Sequence, residues 1–193
     1  MDNKLNVKDL INVGIFTAIY FVMFFISGMT GFIPIFTILF PILLAILGGI
    51  PFILFLTKVN KFGMITIMGV LMGILTLVMG QGWIAIITGL VCGLIGDLIC
   101  KAGKYKSWKH MLIGYCVFSE WVFGSMLPMW VMRDVYFERI RSGQGNAYTD
   151  MVLSLVTNEV IPIILAGIVI GALVGAFIGR AALKKHFKRA GIA

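Results

Sequence analysis

The stretch AGIVIGALVGAFIGR, Ala166 to Arg180, sets Gly167, Gly171, Gly175 and Gly179 at four-residue intervals inside an apolar run. Residues four apart share one helix face, so these glycines make a smooth groove about three turns long on which a second helix can lie backbone to backbone. Ile, Val, Leu, Ala and Phe fill the positions between them. A helix that is apolar all round and carries a seam of small residues belongs in lipid.

The rest of the chain agrees. Of 193 residues 60% are hydrophobic and 12% charged, and the mean hydropathy is +1.04, far outside the range of water-soluble domains of this length. Six apolar stretches have about the length a helix needs to cross a ~30 Å hydrocarbon layer: Leu10 to Met29, Pro34 to Thr57, Phe62 to Met79, Trp83 to Cys100, His110 to Met132 and Val160 to Ala182. Connections such as Gly80-Gln81-Gly82 and Lys58-Val59-Asn60-Lys61 leave no room for a soluble domain. The expectation is an all-α membrane protein, residues 1–193 forming one compact bundle of six transmembrane helices. The first span lacks an A-x-A site downstream and reads as an uncleaved crossing.

Lys and Arg fix the orientation. One side takes Lys4, Lys8, Lys58, Lys61, Lys101, Lys104, Lys106, Lys109, Arg180, Lys184, Lys185, Lys188 and Arg189, whereas the other keeps Arg133, Arg139 and Arg141. Thirteen against three predicts cytoplasmic N and C termini. The net charge of +8 is then mostly topology, and the basic tail KKHFKRAG meets anionic lipid rather than nucleic acid.

Other small residues repeat the glycine pattern. Gly69 and Gly73 on the third span and Gly89 and Gly93 on the fourth are small-xxx-small pairs suited to internal packing. In NVGIFTAIYF, Gly14 and Ala18 lie one turn apart near the cytoplasmic end of the first helix, where a patch of this kind can dock another membrane subunit.

Charge inside the spans needs its own account. Asp97 stands one turn from the end of the fourth span with Lys101 four residues on, an inexpensive i, i+4 pair. Glu120 lies near the middle of the fifth span, where an unpaired carboxylate costs several kcal/mol. It is either protonated and hydrogen-bonded to a neighbouring helix or turned to a hydrated pocket. On the outer side Gln81 and Trp83 open the fourth helix, Trp130 and Arg133 close the fifth, and Asn158 and Glu159 precede the sixth. Aromatic walls with a few polar groups suit a small nutrient, with Glu120, Trp83, Trp130, Arg133, Asn158 and Glu159 as the candidate binding residues. The loop from Arg133 to Thr157 and the uncharged GMTGFIP segment, Gly28 to Pro34, read as covers for such a pocket.

Several chemistries lack their residues. There is no G-x-x-x-x-G-K-[ST] run to cradle ATP phosphates, no H-E-x-x-H and no G-x-S-x-G, so an enzyme is not expected. Cys92, Cys100 and Cys116 fit neither a disulfide framework nor a C-x-x-C motif, and His110 and His186 sit at the cytoplasmic margin, so neither a metal site nor a cofactor is expected.

Six short helices, the Gly14 and Ala18 patch, the KVNKFG turn at Lys58 to Gly63, the GKYKSWK loop at Gly103 to Lys109 and the closing KKHFKRAGIA together resemble the substrate-binding S components of energy-coupling factor (ECF) transporters, most closely the Trep_Strep or MptD branch. The resemblance implies a subunit that captures a vitamin-like micronutrient and passes it to a transmembrane coupling subunit energised by two cytoplasmic ATPases. It also implies that Gly14 and Ala18, standing where the family has an A-x-x-x-A motif, meet the coupling subunit. Metal-specific relatives use an N-terminal His; this chain begins MDNKLN, which disfavours nickel and cobalt. The alternative is a stand-alone proton-coupled carrier using Glu120.

Overall fold

A computed structural model describes residues 4–187. Lys188, Arg189 and the rest of the closing AGIA, like the first three residues of MDNKLN, lie outside the described residues.

The chain begins with α1, Val7–Met29, whose start is fixed by a reciprocal cap: the Asn6 side chain accepts from the Asp9 N–H and the Asp9 carboxylate accepts from the Asn6 N–H, both at 2.9 Å. Lys61 donates to the same carboxylate at 2.8 Å and ties this end to the turn before α4. A tight turn, Thr30–Phe32, leads to α2, Pro34–Leu47, and α3, Gly49–Leu56. The helix expected to run from Pro34 to Thr57 is thus divided at Gly48, where the Tyr20 ring of α1 occupies the space that a Cβ would take.

α4, Met64–Val78, and α5, Ile84–Ala102, form the most intimate pair, as the paired glycines predict. Gly69 faces the backbone of Gly89, Gly73 that of Ala85 and Ile86, and Gly93 that of Thr66. α6, Trp108–Ser119, tightens at Glu120–Val122 and continues through short α7, Phe123–Met126, and α8, Pro128–Val131. The region expected as a loop folds instead into two helices, α9, Arg133–Gln144, and α10, Asn146–Leu155. They are polar on the outside, and buried Phe137, Thr149 and Val152 mark their inner faces. Gly145 makes the corner between them at φ +83°, a conformation open to glycine at no steric cost.

The last long helix, α11, Val160–Ala182, closes the bundle against α2 and α3. Its glycine face is filled as expected: Gly171 meets the Ile42 carbonyl, Gly175 the Ala45 and Ile46 backbone, and Gly179 the Gly49 carbonyl. Tyr115 of α6 donates to the Ala45 carbonyl at 2.6 Å, pinning a third helix to this seam. Between the helices lies an aromatic core in which the Phe52 ring is tilted against Phe118 and Tyr115, its centroid 4.5 Å and 4.7 Å from theirs.

Among the described residues five helical segments are long and apolar enough to cross a membrane: Val7–Phe32, Pro34–Leu56, Ile84–Ala102, Trp108–Val131 and Val160–Lys185. The apolar helix Met64–Val78 is shorter, at 15 residues. Over an 18-residue apolar stretch of each, only 33% of the first, third and fifth segments is buried, against 56% and 61% of the second and fourth. The latter two are therefore central, and the exposed Ile15, Val22, Phe25, Leu94, Leu98, Ile170 and Phe177 face the surroundings as lipid-facing residues do.

Candidate functional site

At the end of the bundle where α1 finishes and α2 begins, the helices splay around a cavity of about 310 Å³. Gly28, Gly31 and Phe32 form one edge, Thr37 and Phe40 of α2 another, and Gln81 in the α4–α5 turn a third. Ser125, Met126 and Met129 supply the floor because α6 gives way there to short segments: the tight turn after Ser119 and Pro128 at the start of α8 reorient the chain. Tyr136, Ile140 and Gln144 of α9 and Tyr148 of α10 close it from above. The two stretches read from the sequence as covers, GMTGFIP and Arg133 to Thr157, both line it.

The α9–α10 cap is held by a few polar straps. Tyr148 donates to the Gly31 carbonyl, and its hydroxyl lies 2.8 Å from Thr37 Oγ1. Arg139 reaches across to the Gly80 carbonyl at 2.6 Å. At the other margin Trp130 Nε1 donates to the Thr157 carbonyl at 3.1 Å, and Arg133 donates to Val156 at 2.9 Å while lying over the Phe137 ring. The Arg141–Asp150 pair links α9 to α10 at the exposed surface.

Among the described residues no Asp, Glu, Lys, Arg or His lines the cavity. Ser125 is engaged with the Val122 carbonyl at 2.7 Å and Tyr148 with Gly31, whereas the side chains of Gln81 and Gln144 and the Tyr136 hydroxyl have no hydrogen-bond partner among the described residues. Burial, and after it the nearby Tyr148, push the Tyr136 phenol up to about 12, so it is a neutral donor at any physiological pH.

None of Glu120, Trp83, Trp130, Arg133, Asn158 and Glu159 is among the residues lining this cavity. Trp130 and Arg133 come together as clamps on the end of α10, and Asn158 and exposed Glu159 follow them in the turn before α11. Glu159 is held below the usual carboxylate range by its own backbone N–H and then by the Thr157 side chain. Arg133 also edges a second, shallower groove of about 470 Å³ with Asp134, Glu138 and Arg141. Trp83 is exposed at the start of α5. Glu120 ends α6 at the tight turn that sends Trp121 into the core, and its carboxylate lies close to Cys92 of α5 and Cys116 of α6. Its Oε2 is buried without a hydrogen-bond partner among the described residues.

Asp97 has a different partner from the expected one. It accepts from the N–H groups of Gly63 at 2.8 Å, Ile65 at 3.1 Å and Thr66 at 3.2 Å, and from the Tyr105 hydroxyl at 2.8 Å. The start of α4, preceded by a glycine with no side chain to cap it, borrows this carboxylate from α5. Lys101 instead sits over the Phe62 ring at 4.8 Å. Burial and Asp97 hold the Tyr105 phenol above its ordinary range, which keeps it a donor.

A bundle of apolar helices with a capped, uncharged cavity at one end defines a multi-pass membrane protein with a site of small-molecule size. The chain belongs to the Trep_Strep family, whose model matches residues 7–189 and which is described as a hypothetical bacterial integral membrane protein. No curated protein and no solved structure matches it.

Proposed function

We propose that this chain is the substrate-capturing subunit of a bacterial ECF-type importer, taking a small vitamin-like nutrient from outside the cell and delivering it through a coupling subunit and two ATPases. The observation that carries the reading is the cavity of about 310 Å³ beneath α9 and α10, at the end of the bundle away from most of the lysines. On this reading α4 is the sixth crossing, both termini are cytoplasmic and the capped end faces outward. At ~1.5 Å per residue the 15 residues of α4 extend about 22 Å, short of a full hydrocarbon layer, and the turns at each end complete the distance. Absence of a phosphate-binding loop fits a subunit that borrows its energy.

The docking face is the exposed side of α1. Gly14 and Ala18 are both exposed, and a Cβ added at Gly14 would meet nothing within 4 Å, unlike the glycines of α4, α5 and α11. Gly14→Trp and Ala18→Trp should leave the isolated subunit folded and binding ligand while abolishing uptake in cells that carry the energising module. Unchanged uptake in both variants removes this face from the model.

A second reading rests on Glu120, whose buried Oε2 lacks a partner among the described residues, a feature of proton-coupled carriers. Reconstitution separates the two. A carrier accumulates substrate under a pH gradient without partners, whereas a capture subunit accumulates nothing until the coupling subunit, the ATPases and ATP are present.

A further inference from the structure

We infer that the cavity selects an uncharged, flat, ring-shaped ligand that presents an amide-type edge, an N–H beside a C=O; the inference rests on the capture reading above. The first ground is charge. None of the lining residues is ionic and Tyr136 is neutral, so an ionised ligand would leave water with no counter-charge to meet it. Of the nearby cations, Arg133 is held at the end of α10 and Arg139 at the Gly80 carbonyl; Arg139 does act on the Tyr136 hydroxyl, but less than burial and Tyr148 do.

The second ground is the set of polar groups without partners. Half-buried Gln81 carries a donor N–H₂ and an acceptor C=O side by side, the complement of an amide edge; Gln144 offers the same pair from the exposed rim, and the half-buried Tyr136 hydroxyl adds one more donor or acceptor. A lipid tail offers nothing to these groups, although six of the lining residues (Thr37, Gln81, Ser125, Tyr136, Gln144 and Tyr148) are polar.

The third ground is shape. Phe32, Phe40, Tyr136 and Tyr148 supply rings, Met126 and Met129 supply polarisable sulfur, and about 310 Å³ holds roughly ten water-sized volumes of ~30 Å³, enough for one substituted ring.

A matched series on one ring tests the class: nicotinamide, nicotinate and 3-(aminomethyl)pyridine are the neutral amide, the anion and the cation. Each is titrated to millimolar concentration into the purified full-length protein, its parent form and an Ile140→Trp variant that fills the cavity, with the thermal unfolding midpoint as readout. Nicotinamide should stabilise the parent protein at concentrations at least tenfold lower than either charged relative, and should lose its effect in Ile140→Trp. A Gln81→Glu variant, nearly isosteric, should invert the order at least tenfold in favour of the amine. Charged members that bind as well as nicotinamide, and are blocked by Ile140→Trp, would overturn the uncharged class while leaving the cavity as the capture site. Binding by none of the three, or binding that survives Ile140→Trp, would overturn the inference and, with it, the assignment of the cavity.

Discussion

The seam between α11 and α2–α3 and the cap formed by α9 and α10 lie in the same chain but are held by opposite means. In the seam, Gly171, Gly175 and Gly179 bring backbones together so closely that an added methyl at Gly175 has no free space, and nothing flexible stands in its way to move aside. In the cap, beside the buried Phe137 and Val152, the ties are hydrogen bonds from Tyr148, Arg139, Trp130 and Arg133, each worth about 1 kcal/mol. Close-packed helices have no intermediate positions, whereas a strap of hydrogen bonds can be exchanged for water. The difference sets a body locked by close backbone contact against a cap whose polar ties to it are few.

Substitutions can break this contrast or sharpen it. The largest effect is expected in the seam: Gly175→Leu sets a side chain against the Ala45 and Ile46 backbone and should abolish recovery of monodisperse protein from the membrane. Recovery at the parent level would mean that the seam is loose. Next is Asp97→Ala, which strips α4 of its cap and leaves buried N–H groups unmet; a loss of about 3 kcal/mol or more is expected in thermal unfolding, with Asp97→Asn losing less. A cap substitution is milder. Tyr148→Phe should cost about 1 kcal/mol locally and speed amide hydrogen exchange in α9 and α10 severalfold, with α11 unchanged. Exchange that rises equally in α11 would show that cap and body are one cooperative unit. The smallest effect belongs to Arg141→Ala, since its ion pair with Asp150 is exposed; the midpoint should shift by no more than ~0.5 kcal/mol allows.

How far the sequence could be read follows from whether a residue's partner is implied by its own neighbours. The four glycines of α11 and the pairs Gly69/Gly73 and Gly89/Gly93 announce close packing by spacing alone, and each meets another backbone except Gly167, which meets the Ile42 side chain. Asp97 was legible as a structural carboxylate, but its partners arrive from the start of α4, which only the tertiary arrangement brings near; Lys101 was the local choice and is drawn to Phe62 instead. The cap helices were hidden because α9 is mostly polar, with Val135, Tyr136, Phe137 and Ile140 as its apolar positions, and because α10, apolar at Ala147, Tyr148, Met151, Val152, Leu153 and Leu155, has only 10 residues, too few to stand out as a membrane span.

Site residues divide in the same way. GMTGFIP and Gln81 were singled out and do line the cavity, but Ser125, Met126 and Met129 look like ordinary members of a membrane span until the turn at Glu120–Val122 and Pro128 redirects them. Glu120 drew attention because a carboxylate within a span is costly, and cost alone does not say which way a side chain turns. Trp130 and Arg133 were marked by their position at a span's end, where they clamp the cap in place.

The most direct test of a cavity built to hold a small molecule is native mass spectrometry of protein taken gently from its own membranes, comparing the parent chain with Ile140→Trp. A small molecule bound to the parent and missing from the variant, with both proteins folded, is the predicted result. Equal occupancy in the two, or none in either, would contradict it.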